Sequence, residues 1–588
     1  MADQTPGVFT SFDRNSDVSG TAPNSRCLIW GLVPANAPAP LNTPFLATGL
    51  AQVQERSGSN WAQLVRNYQA AKAEPAAVGA EVWCLPVADP AGTSATRLMK
   101  FLAQPTYSSG WQVGTASAAA AGTDCTIDIG GQVVTFSISS GDTWATCATK
   151  AKAALDTLGS DLVYAPSLNS ATVTITDRHA SATTDDLPIK VSFSNPSAGV
   201  AVSMGTVTVA TTATGAGTVS LTDGVLTASY GFANGDLIGA ITPAFTAAIN
   251  AGMGLRAAAD AGNAGVITLY YLDDRHARRL TSTITAAVGT TATLAAGTAG
   301  SGTPSLTGAL AYLASEPTAY RAWALAQTDA TALGAVAAHV IAQDASSEKG
   351  QVVFSTISTA LPGTSLIGAT SPALSVTELM VVLHAQAATV PAAQIAARVA
   401  VQVAAEGDGD QGRNWSGLLL TSAEAMPLVA AHKSDRSGKD IWNAGISAGY
   451  CPVSVDSQGR WYVVLARTTF ASAAPQQQRM KKWSGALLPI YFRADLRTTL
   501  TSKFFKPGNG KSLKAKGQPM TERALSEKGI RSEVLSLVKK WDQSDYFDGY
   551  KDIAPAIMIS IVSGRVKVKV PFRSVSDLDR MEISGYPD

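Results

Sequence analysis

The sequence predicts an α/β protein interrupted by two tandem duplicated small β-rich (α+β) domains. Three observations predict it. Short apolar strands separated by helical periodicity open the chain, and the same pattern resumes after Pro304. Between them, over residues 114–303, the composition turns to Thr, Ala, Gly, Val and Ser. Within that region one unit occurs twice, with a Gly-Asp pair before an Ala-rich helix and Asp-Arg-His-Ala at its end, at offsets of 94 and 97 residues.

Taken in order, residues 1–25 are polar and weakly periodic and read as an N-terminal arm. Val8, Thr10 and Phe12 alternate there, as in a strand that pairs with another sheet. Residues 26–110 form the first α/β part. It has an apolar strand at 27–30, a helix at 61–73 with Leu64, Val65 and Tyr68 on one face, and a strand at 81–85 ended by Pro86 and the turn at 89–92. Such crossovers build parallel sheets.

The inserted domains occupy 111–213 and 214–303. Gly141-Asp142 and Gly235-Asp236 read as helix starts, with Asp as the N-cap whose carboxylate takes orphan backbone N–H groups. Strands then lead to Asp177-Arg178-His179 and Asp274-Arg275-His276. The Arg beside each His opposes a bound cation, so both motifs read as strand-end charges on a solvated rim.

Residues 304–577 form the second α/β part, with strands at 320–325 and 350–355 and a helix capped by Asp329 that runs to about residue 341. A further helix is opened by Pro391, in the N1 position its ring favours, and a strand fragment lies at 418–420. Residues 445–469 then read as a β-hairpin. Val453 and Val455 alternate with polar neighbours, and Gly459 takes the positive φ that ends the turn without a Cβ clash. Trp461 and Val463 alternate on the return strand, which runs into Arg467-Thr468-Thr469. Strands at 556–562 and 566–570 precede a C-terminal arm, 578–588, carrying Met581, Ile583 and Tyr586.

Charge is distributed unevenly. Residues 1–478 hold 24 Lys/Arg and 32 Asp/Glu, a net of −8, whereas residues 479–540 hold 15 and 4, a net of +11. Arg479, Lys481, Lys482, Arg493, Arg497 and Lys503 lie in or beside a helix expected to kink near Pro489. Nucleic acid and an acidic protein surface fit such a segment equally well.

The patterns that could carry chemistry each lack a required part. The five cysteines contain no CxxC and indicate neither zinc nor a disulfide framework. Gly445-Ile-Ser-Ala-Gly449 has the nucleophile-elbow spacing, but a strand rather than a helix follows, and His432 is the last His. Gly510-Lys-Ser512 lacks the first glycine of a phosphate loop, since Phe505 stands there. The carboxylates at 406–412 lack the closing Glu of a calcium loop. His339, His384 and His432 are isolated in sequence and read as core or surface residues. No cofactor, metal or catalytic residue is expected, nor a signal peptide or a membrane span of about 18 apolar residues.

The hairpin GYCPVSVDSQGRWYVVLARTT resembles that of contractile tail sheath proteins of Mu-like bacteriophages, which are related to sheaths of phage-derived injection systems. PGVFTSFDRNSDV, CLIWG, EVWCLPV, AWALAQTDATALGAV and VPAAQIAARVAV add to the resemblance in the right order. It implies a contractile core built jointly from the N- and C-terminal parts, with the two small domains inserted on the outer surface. It also implies a helical homopolymer linked by arm exchange, through residues 5–17 and 578–588, around an inner tube. The basic segment, 476–540, would face an acidic tail tube protein, and baseplate and tail terminator proteins would be further partners. No nucleic acid or membrane partner is implied. The location implied is the virion tail, after assembly in the cytoplasm of the bacterial host.

Overall fold

The computed structural model describes residues 25–571 with the exception of 160–163, 182–187, 286–289, 317, 348–349, 360–373, 375–376, 387, 407–412, 424–427, 429–431, 433–434, 472–480, 505–511, 514–523, 548 and 563–564. Both arms therefore lie outside the described residues, as do Arg479 and the 407–412 loop.

The first strand, Arg26–Val33, is buried at every position from Cys27 onward. Such a run belongs to a strand flanked on both edges and covered on both faces. Glu81–Ala88 pairs parallel to it on one side and Ala322–Ala324, some 290 residues later in sequence, parallel on the other. The N- and C-terminal parts thus share one eight-stranded sheet. From the short edge strand Phe45–Leu46 it runs through Glu81–Ala88, Arg26–Val33, Ala322–Ala324, Val352–Ile357, Met380–His384 and Cys451–Val455 to Trp461–Val463.

Pro86 does not end its strand, contrary to the sequence reading. The hydrogen bonds from Glu81 N to Ser25 O and from Asp89 N to Val33 O show that odd-numbered amides face Arg26–Val33. Position 86 therefore points its missing N–H toward the outer edge, where the two-residue strand at Phe45–Leu46 asks nothing of it.

Two helices bind the halves together. Gln63–Lys72 packs so closely on the first strand that a Cβ at Gly31 would stand 2.4 Å from Leu64 Cα. Ala392–Glu406 is buried from Ala393 to Ala404, its many alanines allowing close approach, and it contacts Gln63–Lys72 as well as the sheet. Between the halves lies a buried ion pair. Arg398 Nη1 stands 3.2 Å from Glu74 Oε1, with side-chain exposures of 1% and 0%. Thr421 N and Gln402 Nε2 also donate to Glu74, while Arg398 donates to Thr421 O. Burial raises the Glu74 carboxyl and lowers the Arg398 guanidinium despite their mutual attraction.

The inserted region forms a second core of its own. Its first half contains strands Thr123–Ile129 and Gln132–Ile138, helix Trp144–Asp156, and strands Tyr164–Asn169, Thr172–Asp177 and Ile189–Phe193. The second half repeats that order with Gly217–Thr222, Thr227–Phe232, helix Ile238–Gly252, Arg256–Ala259, Val266–Tyr270 and Thr281–Thr285. Hydrogen bonds repeat too. Gly141 N donates to Ala119 O and Gly235 N to Ala213 O, while Ser139 N donates to Asp142 Oδ2 and Ala233 N to Asp236 Oδ2. The aspartates close the turn before each helix rather than cap it. In the first half the N-cap is Thr143, whose Oγ1 accepts from Thr146 N.

The halves are not separate bodies. Hairpins from both join one nine-stranded sheet through Val200–Ala210, which pairs with Thr96–Ala103 and Val266–Tyr270. Thr96–Ala103, placed by the sequence reading in the first α/β part, belongs to this sheet, and its Met99 and Phe101 are buried in the second core.

Candidate functional site

The stretch 445–469 begins in a helix, Lys439–Ser447, and the hairpin itself is Cys451–Val455 with Trp461–Val463. Ser447, the elbow position, is the last residue of that helix. Residues 445–447, read from the sequence as the beginning of the hairpin, are the last three of this helix. Asp456 Oδ1 accepts from Gln458 N and Arg460 N, and Gly459 sits at φ +83°, as the turn chemistry requires.

Val453 and Trp461 are buried at 1% exposure, and Val455 is half-buried against the same core. Gly417, Leu418 and Leu420 hydrogen-bond along the outer strand, so this edge of the sheet is covered. Past the hairpin, Thr469 N donates to Met380 O and its hydroxyl to Leu374 O, while Thr468 N donates to Lys481 O. Arg467 bridges to Lys482, and its carbonyl accepts from Trp483 Nε1. Burial lowers the Arg467 guanidinium; burial and then Arg467 lower the Lys481 ammonium.

The helix that follows, Trp483–Phe504, is continuous through Pro489. Its first turns are buried almost all round, with Trp483 against Phe354 at 5.0 Å between ring centroids. The expected basic face is partly consumed inside the chain. Arg493 Nη2 lies 2.5 Å from Asp344 Oδ1, and Lys503 pairs with Glu533 while remaining half exposed. Lys481, Lys482 and Arg497 are half-buried.

The Asp-Arg-His motifs depart most from the sequence reading. The first is buried, not on a solvated rim, with Asp177 and His179 each 1% exposed. Gln63 N, at the start of its helix, donates to His179 Nε2 at 3.1 Å, and His179 Nδ1 stands 3.4 Å from Asp89 Oδ1. The ring also meets Trp61 edge-on at 4.9 Å. The second motif is more open: His276 Nε2 lies 3.0 Å from Asp128 Oδ2, and Arg275 Nη1 3.4 Å from Asp435 Oδ1. His432, isolated in sequence, stands 3.6 Å from Asp274. These partners are 90 to 160 residues apart in sequence, and no local signal pointed to them. Among the described residues no group of three His, Cys, Asp or Glu side chains is disposed to hold a metal, and no helix is long and apolar enough to cross a membrane.

The chain is thus a mixed α/β protein of two cores, one bearing a hairpin-and-basic-helix face. Neither a family model nor a curated protein matches it. Among solved structures it is similar to the sheath tail protein of Desulfitobacterium hafniense, at 12% identity over 94% of this chain and 93% of that one, with a TM-score of 0.40. It is similar as well to the sheath tail protein of Listeria innocua, at 9% identity over 92% and 89%, with a TM-score of 0.39. A third is the helical sheath of the anti-feeding prophage in its contracted state, at 13% identity over 46% and 70%, with a TM-score of 0.32.

Proposed function

We propose that the protein is a non-enzymatic structural subunit of a contractile tail sheath. In this reading it polymerises into a helix around an inner tail tube and contracts to drive that tube through a host envelope. One observation carries the reading: sequence segments that resemble tail sheath proteins meet in a single core. CLIWG and EVWCLPV are neighbouring parallel strands, AWA pairs on the far side of CLIW, VPAAQIAARVAV begins the central buried helix, and the Cys451–Val455 hairpin closes the edge.

Other features support the same reading. The hairpin Met558–Val562 with Arg565–Lys569 is a two-stranded sheet, and such pairs are marginal alone. Its edges suit strands donated by neighbouring copies, for which Val8, Thr10, Phe12, Met581, Ile583 and Tyr586 are the candidates. Lys481, Lys482, Arg497 and Lys503, with Arg479, would supply the attraction to an acidic tube, while Arg493 serves chiefly to hold Asp344. The inserted region, a duplicated unit at 111–213 and 214–303, would stand on the outside of the sheath. Baseplate and terminator proteins would bound the polymer. An injection system or bacteriocin of phage origin would use the same subunit chemistry.

The test is electron microscopy of the purified full-length chain over a concentration series, alone and with its tube protein. Hollow tubes with a helical repeat support the proposal. Particles that stay monomeric in both conditions overturn it, and salt-sensitive DNA binding by those monomers would assign the basic segment to nucleic acid instead.

A further inference from the structure

We propose that the two copies of the Asp-Arg-His motif form a divided clamp. The first copy holds the inserted module to the N-terminal part of the core, the second holds it to the C-terminal part, and together they close the carboxyl rim of the core sheet. This inference does not depend on the sheath reading.

The argument starts from topology. In open α/β sheets the carboxyl ends of parallel strands border a crevice where ligands bind, close to the N-termini of the following helices. Here the strand order turns at Arg26–Val33, which has Glu81–Ala88 on one side and Ala322–Ala324 on the other. The rim at that turn is filled by the chain itself. Leu32 N donates to Gln63 Oε1, and Gln63 N, an orphan donor of the helix start, finds its acceptor in His179 Nε2. With Nε2 accepting, the ring proton resides on Nδ1, toward Asp89. Asp89 follows directly on the Glu81–Ala88 strand, and its Oδ2 accepts from Ala180 N at 3.2 Å. Gln63 and Asp89, the partners that meet the first copy at this rim, both belong to the N-terminal part.

The second copy uses different chemistry on the other part. Arg278, two residues past His276 and 5% exposed, donates from Nη1 to Ser358 O at 2.8 Å and from Nη2 to Ala388 O at 2.7 Å. Those carbonyls lie just beyond the carboxyl ends of Val352–Ile357 and Met380–His384. Arg275 with Asp435 and Asp274 with His432 extend the seam outward. A pocket of ≈ 20 Å³ remains between the surfaces, lined by His276, Arg278, Thr389 and Asp435 among others. The copies are tied to each other as well. His276 meets Asp128, and Ile189 and Ala277 exchange backbone hydrogen bonds of 2.9 and 2.7 Å. The two core parts, joined along the chain only through the module, are therefore joined a second time across it.

Hydrogen exchange of the full-length chain tests this, using His179→Phe and Arg278→Met. The first keeps a ring against Trp61 but loses the acceptor; the second keeps the stem but loses both donors. Loss of a buried hydrogen bond corresponds to about tenfold in a local opening constant. We expect His179→Phe to speed exchange about tenfold around residues 30–33 and 62–68 and to leave 352–359 and 380–389 protected. Arg278→Met should do the reverse. His179→Gln, which restores an acceptor, should recover protection at 62–68. Equal acceleration of both rims by either variant, or none in either, overturns the divided clamp. Should His179→Phe fail to fold, Arg278→Met decides alone: acceleration at 30–33 and 62–68 as great as at 352–359 and 380–389 overturns the divided clamp.

Discussion

Glu74 and Arg398 offer the sharpest test of how the two core parts are held together. The pair is wholly buried, so the charges screen each other rather than being screened by water. Breaking such a pair by removing one partner costs about 3–5 kcal/mol, because the remaining charge stays buried without compensation, whereas replacing both by apolar side chains is far cheaper. The two single variants differ in an informative way. Arg398→Met leaves a carboxylate that still accepts from Thr421 N and Gln402 Nε2 and whose affinity for a proton is already raised by burial. It can escape its cost by protonation. Glu74→Leu leaves a guanidinium, which does not lose its proton in proteins. We therefore expect both to cost about 3–5 kcal/mol at pH 7, with the Arg398→Met cost shrinking toward pH 5 and the Glu74→Leu cost holding steady. The double variant should cost less than the sum of the singles, moderated by the unpaired Thr421 N–H at about 1–3 kcal/mol, while Gln402 Nε2 keeps its hydrogen bond to Leu419 O. Urea unfolding followed by tryptophan emission reads this directly, since Trp30, Trp323, Trp415 and Trp483 are all buried in the same core. Additive singles, or a cost below about 1 kcal/mol for either, would refute the reasoning.

Three further outcomes are expected. Burial pushes the His384 imidazole below its ordinary value of 6.5, against a smaller opposing effect of its hydrogen bond to Thr359 O. The unfolded chain then takes up the proton first, so stability is intact above 6.5 and declines as pH falls below it; a His384→Gln chain measured over the same range should lose that slope. Gly31→Ala would drive a methyl into the backbone of Leu64, so we expect a loss of about 1–3 kcal/mol by chemical denaturation, a cost that trimming Leu64 to Ala does not relieve because Cα and N are the atoms struck. Charge reversal at Lys481, whose charged neighbour is the cation Arg467, should abolish tube-templated assembly without lowering the melting temperature. Arg493→Glu, facing Asp344, should lower the melting temperature as well, and equal behaviour of the two variants in paired assembly and melting assays would count against the division.

Much of the architecture is legible in the chain because it rests on local chemistry. Alternation marks Val453, Val455, Trp461 and Val463 as a hairpin, and Gly459 marks its turn, since both depend on neighbours two to six residues away. Pro391 and Asp329 mark helix starts for the same reason: Asp329 Oδ1 accepts from Ala332 N three residues on. The repeat at an offset of 94 residues is visible without any structure, because equal sequences meet equal local constraints. What the sequence could not decide were interactions whose partners are set by how sheets stack. Asp177 and His179 carry the residue types of an exposed rim, yet they are buried because the module folds back onto the start of the Gln63–Lys72 helix. Pro86 reads as a stop, but its tolerance depends on its missing N–H facing the short edge strand Phe45–Leu46 rather than Arg26–Val33. Arg493 reads as a free cation until the helix Ala330–Ser347 brings Asp344 beside it. The sequence alone marked most of the elements and a repeated motif; the tertiary structure decided which charges are spent within the chain, because desolvation and pairing are properties of packed surfaces, not of segments.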